Sequence, residues 1–388
     1  MAGAPPAVSD IIPAMREPLR IIHVLEKNQF NTGSVNQMFQ AASGQRERGD
    51  EVWVVTRDSE EMRERCGERG VTFRPLPLRH ELDLTSIRGL HALVEKSRVD
   101  VIHAHKGVPH TLALAATWRR PVPAFVVNRG VSFPLTFWNR GKYRTRRVDA
   151  IVCVCEDIRQ VVIRSGKIDP LKVEVIYAGT DMRVFDPERW ERDDFRREKG
   201  IPPEAFVFAQ VGVRDWKGWR ELTDAFASVH RRHPMTRLML IAYKDAGQRD
   251  EILGYAAARG VGDAVIPVEY RRDMARVLAA ADCVADASWA GTGITGTIRE
   301  AMALGKPVIA TDSGGNRELL SDPSLGWLVP ARHEHAMATA MLEILEDDEG
   351  RDRIAAAGMR HARRGFSSDA RLDRLDDLYR RIVQNKRG

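Results

Sequence analysis

The segment Gly291-Thr-Gly293-Ile-Thr-Gly296 joins a short apolar run, 281–287, to a helical stretch, 297–304. A glycine turn feeding a helix N-terminus gathers unpaired backbone N–H groups at the positive end of the helix dipole, which makes an anion site. The diphosphate of a nucleotide is the anion this arrangement suggests. A second set of charges follows another apolar run, 206–211, in Gly212-Val-Arg214-Asp-Trp-Lys217-Gly218. Two cations beside a glycine at the carboxyl end of a strand can neutralise a leaving diphosphate without a metal. In Asp100-Val-Ile-His103-Ala-His105, alternation puts both histidines on one side of a strand end. His-x-His also suits a metal, yet no carboxylate or third histidine is close enough to complete a site, and two polar groups at a strand end is the plainer reading. Glu300 has a plain reading too, since Thr297-Ile-Arg-Glu300 fits a capping box.

These residues need a scaffold that brings strand ends together. Apolar runs at 19–25, 51–56, 71–75, 100–104, 124–128, 150–155 and 173–177 read as strands, with helices at 35–48, 84–96 and 157–165 between them. A polar helix at 188–199 separates these from strands at 206–211, 238–242, 264–267, 281–287, 307–311 and 326–329. Helices at 221–231, 250–259, 273–281, 297–304, 317–320, 335–345 and 367–383 complete the pattern. Alternation of strand and helix predicts parallel sheets with right-handed crossovers, an α/β fold. The first 18 residues, rich in proline, read as disordered.

At 388 residues the chain is long enough for two domains. No apolar run approaches the roughly 20 residues that span a bilayer, and no secretory signal is visible. The four cysteines read as reduced thiols, so a cytoplasmic setting is expected. A formal charge of +6 fits nucleic acid, an anionic substrate or an anionic membrane surface, and also a generically basic protein. Segment 136–147, TFWNRGKYRTRR, mixes aromatic and basic residues. It reads as a membrane or acceptor contact, or as a solvated helix. A nicotinamide enzyme is disfavoured because no Gly-x-Gly-x-x-Gly follows the first strand.

The stretch REAMALGKPVIATDSGG, Arg299 to Gly315, resembles the donor-site signature of retaining glycosyltransferases of the GT-B fold, family 4 (glycosyl transferases group 1). The resemblance implies two Rossmann-like domains facing across a cleft. An acceptor domain would span 19–185, a nucleotide-sugar domain 186–366, and a final helix over 367–388 would cross back to the first. It implies that Glu300 binds the donor ribose, and that the backbone of Gly293, Ile294 and Thr295 meets the diphosphate. Lys217 and Arg214 would grip that diphosphate, although Arg214 stands one residue later than usual. Gly33 takes the place of the glycine in the loop that closes over the donor phosphates. His105 matches the histidine near the reacting sugar, and Tyr270 falls where relatives pack the base, or is simply an exposed tyrosine. Many relatives have histidine near Asn128 and Arg129; here this pair is assigned to the acceptor, with Arg129 binding an anionic group or standing as a surface arginine. The family usually has a second glutamate eight positions before the first, where this chain has Thr292.

The implied activity is sugar transfer from a nucleotide sugar to an acceptor hydroxyl, in cell-envelope glycan or lipopolysaccharide biosynthesis. No cofactor, metal or nucleic acid is expected. The acceptor would be a glycan or lipid-linked, with peripheral contact at the inner face of an anionic membrane. A nucleotide-sugar epimerase, a sugar phosphorylase and a non-catalytic nucleotide-sugar-binding protein are the alternatives.

Overall fold

The computed structural model describes residues 17–30, 32–290 and 293–387. The extension expected to be disordered falls almost wholly outside them, as does Thr292. Seven strands form the first sheet: β1 Arg20–Val24, β2 Glu51–Thr56, β3 Thr72–Pro75, β4 Val101–His105, β5 Ala124–Arg129, β6 Ala150–Cys153 and β7 Val173–Val175. They pair in the order β3-β2-β1-β4-β5-β6-β7. Six more form the second sheet: β8 Phe206–Val211, β9 Thr236–Tyr243, β10 Val265–Glu269, β11 Cys283–Asp286, β12 Val308–Thr311 and β13 Trp327–Val329. Their order is β10-β9-β8-β11-β12-β13.

All the pairings are parallel. Helices cover both faces of such sheets, so the strands read as continuous apolar runs. Every residue of β4 and β12 is buried accordingly. In each sheet the strand order reverses at the centre, between β1 and β4 and between β8 and β11. Ligands of open parallel sheets gather beyond the carboxyl ends at such a reversal. His105 stands there in the first sheet, and Val211 and Asp286 in the second.

Three helices went unread in the sequence. Glu60–Glu68 buries just Met62 and Cys66, and Asp348–Gly365 buries only glycines and alanines, so neither shows a strong apolar stripe. Gly107–Ala116 carries Pro109 in its first turn, where proline is tolerated because that N–H has no helical partner. The four cysteines are free and buried.

The chain passes between the sheets twice, and the two passages run side by side. Thr180 donates its N–H to the Phe366 carbonyl at 2.8 Å, and Ser368 donates to the Thr180 carbonyl at 2.9 Å. Gly179 makes this approach feasible, since a Cβ there would lie 2.7 Å from the Ser368 Cα. The Gln37 side chain holds both edges of Gly179, donating to its carbonyl at 2.8 Å and accepting from its N–H at 2.9 Å. The final helix, Ser368–Arg387, then lays Leu372, Leu375, Leu378 and Val383 against Ile21, Val101 and Ala124 of the first sheet.

A carboxylate from the second half caps a helix of the first. Glu318 accepts from the Glu156 N–H at 2.8 and 2.9 Å, from the Asp157 N–H at 3.3 Å and from the Tyr177 hydroxyl at 3.1 Å. Glu156 and Asp157 open the helix Glu156–Gly166, whose N-terminus attracts negative charge. Glu318→Ala is expected to weaken this contact by about 1 kcal/mol, the usual worth of a cap, and to enlarge the radius of gyration of the ligand-free protein in small-angle scattering. An unchanged radius and melting temperature would show that the cap does not hold the halves together.

Candidate functional site

The sequence brings Lys217 to β11 through a close backbone approach. Residues Asp215–Lys217 form one short turn, and Gly218 follows with φ of +67°. A Cβ at Gly218 would lie 2.1 Å from the Ala287 carbonyl oxygen, so only glycine fits. Buried Gln210 ties the same two segments, donating to the Lys217 carbonyl at 3.1 Å and accepting from the Ala287 N–H at 3.0 Å. The Lys217 Nζ then sits 3.3 Å from Asp286 Oδ1.

Asp286 is the centre of this nest and is buried at the end of β11. Its Oδ1 also accepts from Ser288 Oγ at 2.6 Å. Its Oδ2 accepts from Thr295 Oγ1 at 2.8 Å and from Asn316 Nδ2 at 3.3 Å. Asn316 is buried too, and its Oδ1 accepts the Thr295 N–H at 3.0 Å. The Thr295 N–H, expected to meet the diphosphate, is donated to Asn316 in this structure. Gly293 and Ile294 precede it, with Gly293 packed beside Val154, Cys155 and Ile158 of the first half.

A cleft of about 590 Å³ opens between the halves. Phe30, Gln37 and Gln40 line it from the first half, and Tyr270, Arg271 and Glu300 from the second. Tyr270 is exposed there. Glu300 is not a capping-box residue: the helix runs Gly296–Ala303 with Thr295 at its cap, so Thr297 lies inside it. Burial pushes the Glu300 carboxyl above its ordinary range, and the Arg299 charge pulls it partly back. Arg214 is exposed, and its guanidinium has no partner among the described residues. Gly33 begins the helix Gly33–Glu47 with open space where a Cβ would point. Asn128, in register with His105 on the neighbouring strand, is half-buried. Arg129 turns back to donate to the Phe133 carbonyl of its own loop.

His105 lies inside the first half, buried with His103, and a third histidine is present after all. The parallel register sets His23 of β1 opposite His103 of β4. Gln45 Oε1 accepts from His23 Nε2 at 2.7 Å, which turns the His23 Nδ1 lone pair toward His105 Nε2 at 3.0 Å. His103 Nδ1 meets the Tyr379 hydroxyl at 2.5 Å. The His103 and His105 rings stack at 4.2 Å and 24°. The ring nitrogens of His23, His103 and His105 lie within 4.8 Å of one another, and burial, with the Arg371 charge nearby, favours the neutral form of all three.

Sequence reasoning missed Gln210, Asp286, Asn316 and His23. For Asp286 a signal existed, because a carboxylate ending the otherwise apolar run Cys283-Val-Ala-Asp286 is costly unless paired.

Residues 203–347 match the model of the glycosyl transferases group 1, and residues 31–184 match that of glycosyltransferase family 4. A relative from Escherichia coli, UDP-Gal:alpha-D-GlcNAc-diphosphoundecaprenol alpha-1,3-galactosyltransferase, is 23% identical over 317 residues, covering 78% of this chain and 81% of its own. A D-inositol 3-phosphate glycosyltransferase from Actinosynnema mirum is 33% identical over 222 residues, 54% of this chain, and the match spans about half (52%) of that relative's length. Among solved structures, a glycosyltransferase from Rickettsia africae superposes with a TM-score of 0.87 at 17% identity, over 95% of this chain and 100% of that one. This superposition places the two sheets in the GT-B arrangement.

The histidine cluster makes stability depend on acid. Burial lowers His23 from 6.5 to about 4, and lowers His103 and His105 in the same direction. The unfolded chain takes up these protons near pH 6.5 and the folded chain does not. Stability is thus complete above pH 6.5 and lost as the pH falls toward 4. His23 alone accounts for roughly 3 kcal/mol of that loss. Urea unfolding at pH 7 and pH 5 is expected to show the loss in the wild type and a smaller one in His23→Gln; equal losses would remove the cluster as its source.

Proposed function

The chain belongs to the group 1 and family 4 glycosyltransferases, and from that membership we propose that it moves a sugar from a nucleotide sugar to an acceptor hydroxyl with retention at the anomeric carbon. The observation that carries this reading is the nest at the carboxyl end of β11, where Lys217, Asp286 and the turn before Gly296–Ala303 meet. Lys217 and the amides of Gly293 and Ile294 stabilise the departing diphosphate, the site of greatest charge development. Arg214, exposed on the same turn, folds onto it when the donor is bound. Glu300 takes the ribose and Tyr270 the base, both on the cleft.

The carbon–oxygen bond to the diphosphate breaks as the acceptor oxygen bonds on the same face, and the leaving phosphate takes the hydroxyl proton. Asp286 supports this route over a covalent intermediate, since its two oxygens are already engaged by four donors. No metal is required where cationic and amide groups supply the charge. His105 acts at the sugar side from within its hydrogen-bonded cluster.

The acceptor is a lipid-linked or envelope glycan, reached at the inner face of a membrane. Phe133, Phe137 and Trp138 are 71%, 68% and 91% exposed, beside Arg140 and Arg144 on the first half. Aromatic side chains with adjacent cations suit an anionic interface. Asn128 and Arg129, at the end of β5 just before this segment of the chain, contact the acceptor in this reading. The contact proposed is peripheral; no helix among the described residues is long and apolar enough to cross a membrane.

Lys217→Ala is expected to lose turnover by a thousand-fold or so, roughly 4 kcal/mol, while still unfolding cooperatively. Near-normal turnover would remove the assignment. Uridine, guanosine and adenosine diphosphates, screened by thermal shift, should give at least one stabilising ligand, and no shift with any of them would count against a nucleotide donor.

A further inference from the structure

We infer that Asp286 is the positioning residue of the donor site, setting the distance between Lys217 and the Thr295 turn on which diphosphate departure depends. The inference rests on the nucleotide-sugar reading of the cleft and goes beyond it, since nothing in the donor signature 299–315 assigns a role to this position.

The carboxylate is 2% exposed and each oxygen receives two donors. Lys217 and Ser288 meet Oδ1, and Thr295 and Asn316 meet Oδ2. Four separate segments therefore converge on one group: the turn after β8, the exit of β11, the loop before the helix Gly296–Ala303, and the helix Asn316–Leu319. The Lys217 contact is loose at 3.3 Å, and the lysine side chain keeps 17% exposure. An incoming anion can share the ammonium without breaking the other three bonds. Thr295 cannot drift, because its hydroxyl is on Asp286 and its N–H is on Asn316.

An amide at this position has the same shape and the wrong hydrogen bonds. The hydroxyls of Ser288 and Thr295 can rotate to accept. The Lys217 ammonium cannot accept, and Asn316 has its oxygen committed to the Thr295 N–H. Whichever side the new NH2 faces, it meets an obligate donor. Losing the negative charge also frees Lys217 from its counter-ion, so attraction for a diphosphate is kept or strengthened. A positioning role therefore separates binding from turnover, whereas a merely structural role lowers both.

The test uses the full chain as wild type, Asp286→Asn and Thr295→Val. Calorimetry measures binding of uridine, guanosine and adenosine diphosphates, and release of nucleoside diphosphate from the matching nucleotide sugar measures turnover. Asp286→Asn is expected to bind as tightly as wild type or a few-fold tighter, with turnover reduced about 100-fold. Thr295→Val is expected to bind within about two-fold of wild type, with turnover down roughly tenfold. Parallel loss of binding and turnover, or no change in either, overturns the inference. Should Asp286→Asn fail to melt cooperatively, Thr295→Val decides alone: a split supports the role and unchanged turnover overturns it. A wild type that binds no nucleoside diphosphate overturns the nucleotide reading and this inference with it, and is told apart because the failure is then in the wild type.

Discussion

The second half of the molecule depends on the contact of one residue with one carbonyl. Gly218 presses against Ala287 so closely that no side chain fits between them. That contact forces the turn after β8 onto the exit of β11, and Gln210 locks it from beneath. Lys217 has little choice but to meet Asp286, and Asp286 in turn collects the loop and helix that follow. A buried carboxylate is expensive unless every lone pair is used, and here four donors use them. Backbone packing thus fixes charge placement, and charge placement fixes the shape of the anion site.

The same logic couples the halves. Gly293 rests against Val154 and Ile158, so the turn that faces a ligand also faces the first half. Gln37 clamps the linker at Gly179, and Arg371 of the final helix donates to the Gln37 carbonyl at 2.6 Å. Arg299, one residue before Glu300, reaches the Ala178 carbonyl of that linker. The glycine turn and the helix that carries Glu300 therefore both touch the first half or the passages between the sheets.

The thirteen strands among the described residues were legible, most of them because parallel strands buried on both faces leave apolar runs; the edge strand β3 is largely exposed and is the exception. The polar helices Glu60–Glu68 and Asp348–Gly365 were not, because they are held by few buried side chains. Lys217-Gly218 stood out, since a cation before a glycine at a strand end has few other uses. Asp286 hid inside an apolar run, and Asn316, between a glycine turn and a short helix, carried no local signal. His23 was invisible as a partner of His105 for a topological reason: β1 and β4 are neighbours in space and some 80 residues apart in the chain. Spacing reports what a local segment can do. It does not report what the sheet order brings beside it.

The central claim is that Lys217 and the amides before Gly296 converge on a diphosphate in the space between the halves. A crystal structure with the best-binding nucleoside diphosphate tests it most directly. Phosphate oxygens are expected within hydrogen-bonding distance of Lys217 Nζ and of the Gly293 and Ile294 amides, with the ribose against Glu300. A diphosphate bound elsewhere, or Lys217 and Glu300 turned away from it, would contradict the account.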